Sequence, residues 1–221
     1  MRITIDEKNK VREQLTYSEI FCLFMIGSVI GFVLEGLWHM LTVGGWESHV
    51  ATVWGPFCII YGIATVMLYA LSLKLKTKNA VLRFFIYAVV SASIEYFISL
   101  FQEICFGSVS WDYSDHFLNV NGRTSLQMCL LWGVLGILFD CLVFPLFARF
   151  LRNMQGRPFH VACGILSAIM AADLIVTSSA VTRWRERTND IPTANAWEEY
   201  LDAVYSDERM SEIFPNMEFL D

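Results

Sequence analysis

Five carboxylates fall in or beside long apolar runs of this chain: Glu35, Glu95, Glu103, Asp140 and Asp173. A carboxylate at the centre of a bilayer costs about 2.5 kcal/mol or more unless it is partnered. Two basic side chains, Arg123 and His39, are the candidate partners. The stretch richest in such chemistry is Glu95 to Arg123, which reads EYFISLFQEICFGSVSWDYSDHFLNVNGR. It starts within an apolar helical pattern, leaves it as a short polar loop and ends on an arginine. Ser91, Glu95, Ser99, Gln102 and Glu103 fall along one helical stripe, with Ile94, Phe97, Ile98 and Phe101 opposite. Gly27, Gly31, Glu35 and His39 are spaced by four and share one face of another helix.

The candidate binding residues are therefore Glu35, Glu95, Ser99, Glu103, Trp111, Asp112, Tyr113, Asn119, Asn121 and Arg123. Together they would form one outward-facing polar pocket for a cation, a metal or a polar headgroup. Acids this close, short of counter-charge, would share a proton. His39 is the candidate metal ligand. Plainer readings stand beside these. Arg123, paired with Glu103 or Asp112, would simply pin the loop to the helix ends. Trp111 and Tyr113 would be interfacial belt residues. Asn119 and Asn121 would form turns, and Asn121-Gly122 is a strong turn signal because both residues tolerate positive φ. Asp140 and Asp173 would be interhelical hydrogen-bond glue.

The elements that hold these residues are membrane helices. Of 221 residues 55% are hydrophobic and 17% charged, and mean hydropathy is +0.47. The excess apolar residues cluster into runs of the roughly 20 residues that cross a bilayer. The fold class is all-α, a polytopic bundle of about five transmembrane helices over 17–43, 54–75, 82–106, 123–151 and 159–182. A polar, amphipathic or cytoplasmic segment covers 1–16, and a soluble tail covers 183–221. Thr16-Tyr-Ser-Glu19 fits a capping box at the first helix. Gly55-Pro56 opens the second, and Pro145 kinks the fourth. In the tail, Leu201 and Tyr205 share a helical face, and Ser206 caps a further short helix. No internal repeat is evident, and no cleavable signal peptide is expected. The six cysteines contain no CxxC pair and read as small hydrophobes.

The links around Lys74, Lys76, Lys78 and Arg83, and around Arg149, Arg152 and Arg157, are basic and belong in the cytoplasm. With five spans the N-terminus is cytoplasmic too, and the tail falls outside. Arg183, Arg185 and Arg187, directly after the fifth helix, pull the other way.

Glu95-Tyr96, Glu103, Phe106-Gly107, Trp111-Asp112-Tyr113-Ser114, Asn119 and Asn121-Gly122-Arg123 together resemble the bacterial membrane family labelled putative ABC-transporter type IV, or CmpB-like. Gly55-Pro56, Tyr61-Gly62, Trp132-Gly133, Leu201-Asp202 and Phe214-Pro215-Asn216-Met217 extend the resemblance over nearly the whole chain. Ser110 and Gln102 depart from it, where a second Trp and a Leu are more usual. The resemblance implies a permease-like component in the bacterial plasma membrane, working with a separate ATPase subunit or other membrane proteins.

The chain carries no GxxxxGK[ST] loop, so it is not itself the ATP-hydrolysing subunit. The formal charge of −6 and the lack of a basic stripe exclude nucleic acid as a partner. No cofactor is expected. The favoured reading is a permease-like subunit, and the alternative is a membrane scaffold or regulatory subunit without transport activity. An enzyme acting on an extracytoplasmic lipid or cell-wall substrate ranks third, because no HExxH, GxSxG or readable Cys-His pairing is present.

Overall fold

A computed structural model describes residues 14–220. The expected segment over 1–16 therefore lies almost wholly outside the described residues. The chain is an all-α membrane bundle. Its helices are α1 (Tyr17–Thr42), α2 (Ile59–Lys74), α3 (Ala80–Phe106), α4 (Leu126–Leu138), α5 (Phe144–Asn153) and α6 (Arg157–Thr188). Two short tail helices follow, α7 (Ala196–Val204) and α8 (Asp207–Ile213). Four helical stretches are long and apolar enough to cross a membrane: Tyr17–Thr42, Ala80–Phe106, Leu126–Asn153 and Arg157–Thr188. The shorter α2 makes a fifth apolar element. Outward-facing apolar side chains such as Leu41, Ile104 and Ile175 suit hydrocarbon surroundings.

Local chemistry sets the helix ends. Thr16 and Glu19 form the full reciprocal capping box of α1. Asn79 caps α3 by accepting from the Val81 and Leu82 amides, and Gly107 ends it at φ 58. Ser125 caps α4 and Ser206 caps α8. Between α4 and α5 the chain makes a single π-helical turn, Phe139–Val143. It lies just ahead of Pro145, which has no amide to donate and whose ring would crowd the preceding turn. The expected kink is thus a widened turn in one continuous crossing.

α2 starts at Ile59, not at Trp54. Gly55 sits at φ 82, which no helix accepts, so Gly55-Pro56 belongs to the loop. That loop dips into the bundle. The Cys58 amide donates to Ser28 O (3.0 Å), eleven residues into α1 and so about 16 Å from its start. The Trp54 amide donates to Asp173 Oδ1 of α6 (3.1 Å), and the Val53 amide to Thr177 (2.9 Å). Non-helical backbone survives at this depth only where protein satisfies it. Asp173 and Thr177 do so, and α2 can be short because the loop covers part of its path.

Five helices give the bundle two distinct ends. Lys74, Lys76, Lys78, Arg152 and Arg157 gather at one, where Ser18 of α1 meets His160 of α6 (2.8 Å). The 43–58 loop, the 107–125 loop and the tail gather at the other. There β1 (Ser108–Val109) pairs antiparallel with β2 (Glu218–Phe219), and the Leu220 amide donates to Gly107 O (2.8 Å). Ala180, Val181 and Trp184 of α6 form a core with Leu201, Tyr205, Met210 and Phe214 of the tail. α6 therefore runs beyond the expected end at 182, and its extension is the mast that the tail wraps.

The arginines that argued against an outer tail have partners in the tail itself. Arg183 is 3% exposed and donates to both oxygens of Asp202 (2.9 and 3.0 Å), to Glu186 (3.1 Å) and to Ile191 O (3.0 Å). Arg187 bonds Asp202 and Asp207. The tail lies at the end opposite the basic links.

Candidate functional site

Glu95 is 4% exposed, on α3. It accepts from Thr124 Oγ1 (2.7 Å) in the last residues of the 107–125 loop. Trp132 of α4 and Tyr113 of the loop stand beside it. Glu35 of α1 is half-buried and accepts a short hydrogen bond from Tyr61 Oη of α2. Tyr113 stands beside both acids. The Tyr61 and Trp132 rings meet with centroids 6.1 Å apart. Glu35, Glu95, Tyr61, Tyr113, Thr124 and Trp132 thus form one polar cluster in the bundle. Ser99, one turn beyond Glu95, is buried on the same stripe.

Among the described residues, the side chains that reach these two carboxylates carry neutral hydroxyl or indole donors. Such donors hold a negative charge in place without cancelling it. The cluster therefore has room in its charge balance for a proton or another cation.

The remaining candidates form separate constellations. Glu103 pairs with Arg123, whose guanidinium lies over the Tyr96 ring, 5.5 Å from its centroid. Asn121, at φ 53, donates to Tyr96 Oη (3.2 Å). Trp111 Nε1 donates to Arg123 O (3.0 Å). Asp112 accepts from the Ser114 amide (2.8 Å) and hydroxyl (2.5 Å), and these bonds hold its carboxyl below the usual carboxylate range. Asn119 accepts from the Gly122 amide (3.2 Å) and donates to Ser114 O (2.8 Å). Trp111, Asp112, Asn119 and Asn121 therefore build and anchor the loop, and Tyr113 is the loop residue beside both acids.

His39 is also elsewhere. Its Nδ1 bonds Gly45 O (2.7 Å), and its Nε2 is 3.2 Å from Glu47. Glu47 also faces His49 (3.4 Å) and Asn216 of the tail (2.8 Å). Among the described residues no group of three or more His, Cys, Asp and Glu is placed to hold a metal ion. His39 fastens the 43–58 loop, which in turn holds the tail.

Two corrections concern the other acids. Arg123 and His39 are not the sole basic partners, because Arg83 belongs to the first turns of α3 and pairs with Asp140 in the π-helical turn. Asp173 is the acceptor for the buried loop, as described above. Tyr61, Trp132 and Thr124 were absent from the candidate residues. Tyr61-Gly62 and Trp132-Gly133 stood out only as dipeptides, and nothing local shows that an aromatic on α2 or α4 will reach an acid on α1 or α3.

No curated protein and no solved structure matches the chain. The family model described as Putative ABC-transporter type IV matches residues 22–178, a range that includes most of α1, all of α2 to α5, most of α6 and both acids of the cluster. The chain belongs to that family of ABC-transporter-related membrane proteins.

Proposed function

We propose that the chain is a permease-like membrane subunit of a transporter, with Glu35 and Glu95 forming a cation-accepting pocket in the outer half of the bilayer. The observation that carries this reading is the pair of spanning-helix carboxylates served by neutral donors alone. Acids in this position mark ion and substrate paths in membrane proteins. In this reading the chain lies in the bacterial plasma membrane with the basic links and N-terminus cytoplasmic. A separate ATPase subunit meets the cytoplasmic side, and the loops and tail cap the outer face.

The test starts from a tagged chain purified from its native membrane. An ATP-hydrolysing subunit is expected to co-purify. Glu95→Gln should keep the complex intact while abolishing uptake of the solute whose entry is lost on gene deletion. A chain that isolates without an ATPase, with Glu95→Gln fully functional, would favour the scaffold reading. The Glu103–Arg123 pair and the Trp111–Arg123 bond, which pin the outer loop, are what speak for that alternative.

A further inference from the structure

Two helical hairpins fill the core of the bundle, and the same residue types recur in both. Phe24, Ile26, Val29, Leu34 and Glu35 of α1 have Phe84, Ile86, Val89, Ile94 and Glu95 sixty positions later on α3. Cys58-Ile-Ile-Tyr61-Gly62, entering α2, has Cys129-Leu-Leu-Trp132-Gly133 seventy-one positions later on α4. The spacing changes because the stretch from Glu95 to Cys129 is eleven residues longer than that from Glu35 to Cys58, so the sequence shows no fixed period.

The contacts repeat with the residues. A Cβ on Gly62 would lie 2.7 Å from the Phe24 ring, and one on Gly133 would lie 2.6 Å from the Phe84 ring. Gly27 packs on Thr65, and their counterparts Tyr87 and Gly136 pack on each other with the glycine on the other helix. Tyr61 donates to Glu35, and its counterpart Trp132 stands beside Glu95. Finally, the Tyr61 and Trp132 rings pair with each other, their centroids 6.1 Å apart. A residue that meets its own counterpart sits on a two-fold axis. Both hairpins leave the basic end and return to it, so this axis runs along the membrane normal, as in parallel-repeat transporters.

We infer that α1–α2 and α3–α4 are two copies of one hairpin, and that Glu35 and Glu95 are the same residue twice, the two halves of a single site on the axis. Tyr61 and Trp132 are its paired positioning residues. Each fixes the acid of its own hairpin, and together they close the gap between hairpins. Thr124, from the extended second loop, has no counterpart and gives the Glu95 half an added donor. The ligand class is the one proposed above, a proton or another cation, now held jointly by two equal half-sites. The inference rests on that reading only for what the site binds.

The test uses the purified full-length chain. In a background without the native cysteines, Y61C/W132C is expected to form a disulfide on mild oxidation. Independently, thermal unfolding is read in two double-mutant cycles. The W132F loss should exceed that in an E95L chain by about 4 °C, from one indole N–H set beside a carboxylate. Y61F against E35L should show a coupling of similar size. Coupling at one acid and none at the other would overturn the duplication. So would failure to crosslink when both cysteines react with a soluble thiol reagent. Uptake enters neither measurement, so a transport result bears on the proposed function alone.

Discussion

Replacing Asp202 with alanine will unlatch the cap that the tail forms on one end of the bundle. Asp202 accepts two bonds from Arg183 and one from Arg187, and Arg183 keeps only Glu186 and the Ile191 carbonyl once it is gone. Removing one partner of a buried ion pair costs about 3–5 kcal/mol, because the other charge stays behind. The Asp202 side chain is 28% exposed, so the lower end applies, about 3 kcal/mol. At roughly 2–4 °C per kcal/mol this is a fall in Tm of about 6–12 °C if the cap and bundle melt together. If the cap opens by itself, protease cuts the tail at temperatures where the bundle stays whole. Acid works in the same direction. Arg183 above all, then Arg187, hold the Asp202 carboxyl below its ordinary range. A depressed carboxyl stabilises fully above its unfolded value, about 3.9, and that contribution fades as pH falls through the lower folded value. The assay is limited proteolysis of the purified chain between pH 3 and 7, with Tm alongside. The wild-type tail should stay protected at pH 5, and the D202A tail should be cut throughout. Equal protection and an unchanged Tm in D202A would refute the latch.

Three further outcomes follow from single contacts. Thr124→Val removes a hydroxyl from buried Glu95 at nearly constant shape and should cost about 1.5–3 kcal/mol, while Thr124→Ser restores it; chemical denaturation of both variants checks this. Gly136→Ala drives a methyl into the fully buried Tyr87 and should lower Tm by several degrees, whereas Gly164→Ala meets nothing within 4 Å and should leave it unchanged. Arg83→Met removes the charge partner of Asp140 and should lower the yield of folded protein in membranes, with Arg83→Met/Asp140→Leu recovering most of it; fluorescence-detected size exclusion reads both.

Opening the latch would also reach the site. The tail strand pairs with Ser108–Val109, at the start of the loop that carries Tyr113 and Thr124. Part of the geometry around Glu95 is therefore secured by residues more than eighty positions downstream.

The sequence by itself determined the class of the protein, the approximate helices and several of their ends. Spans announce themselves because hydrocarbon demands about 20 apolar residues in a row. Caps do so because Thr16 and Glu19, or Ser206, act on their own neighbours. The polar stripe on α3 was equally legible, since helical periodicity fixes which residues share a face. The partners across that face were not. A carboxylate bonds whatever donor the packing brings to it. Glu103 took Arg123, Asp140 took Arg83, and Asp173 took the amide of a loop more than a hundred residues away. The arginines after the spanning part of α6 likewise look free in the sequence until Asp202 and Asp207 fold back on them. The repeat was hidden because its halves are joined by loops of different length. Only packing, by bringing Tyr61 against Trp132 beside Glu35 and Glu95, decided that two distant acids belong to one place.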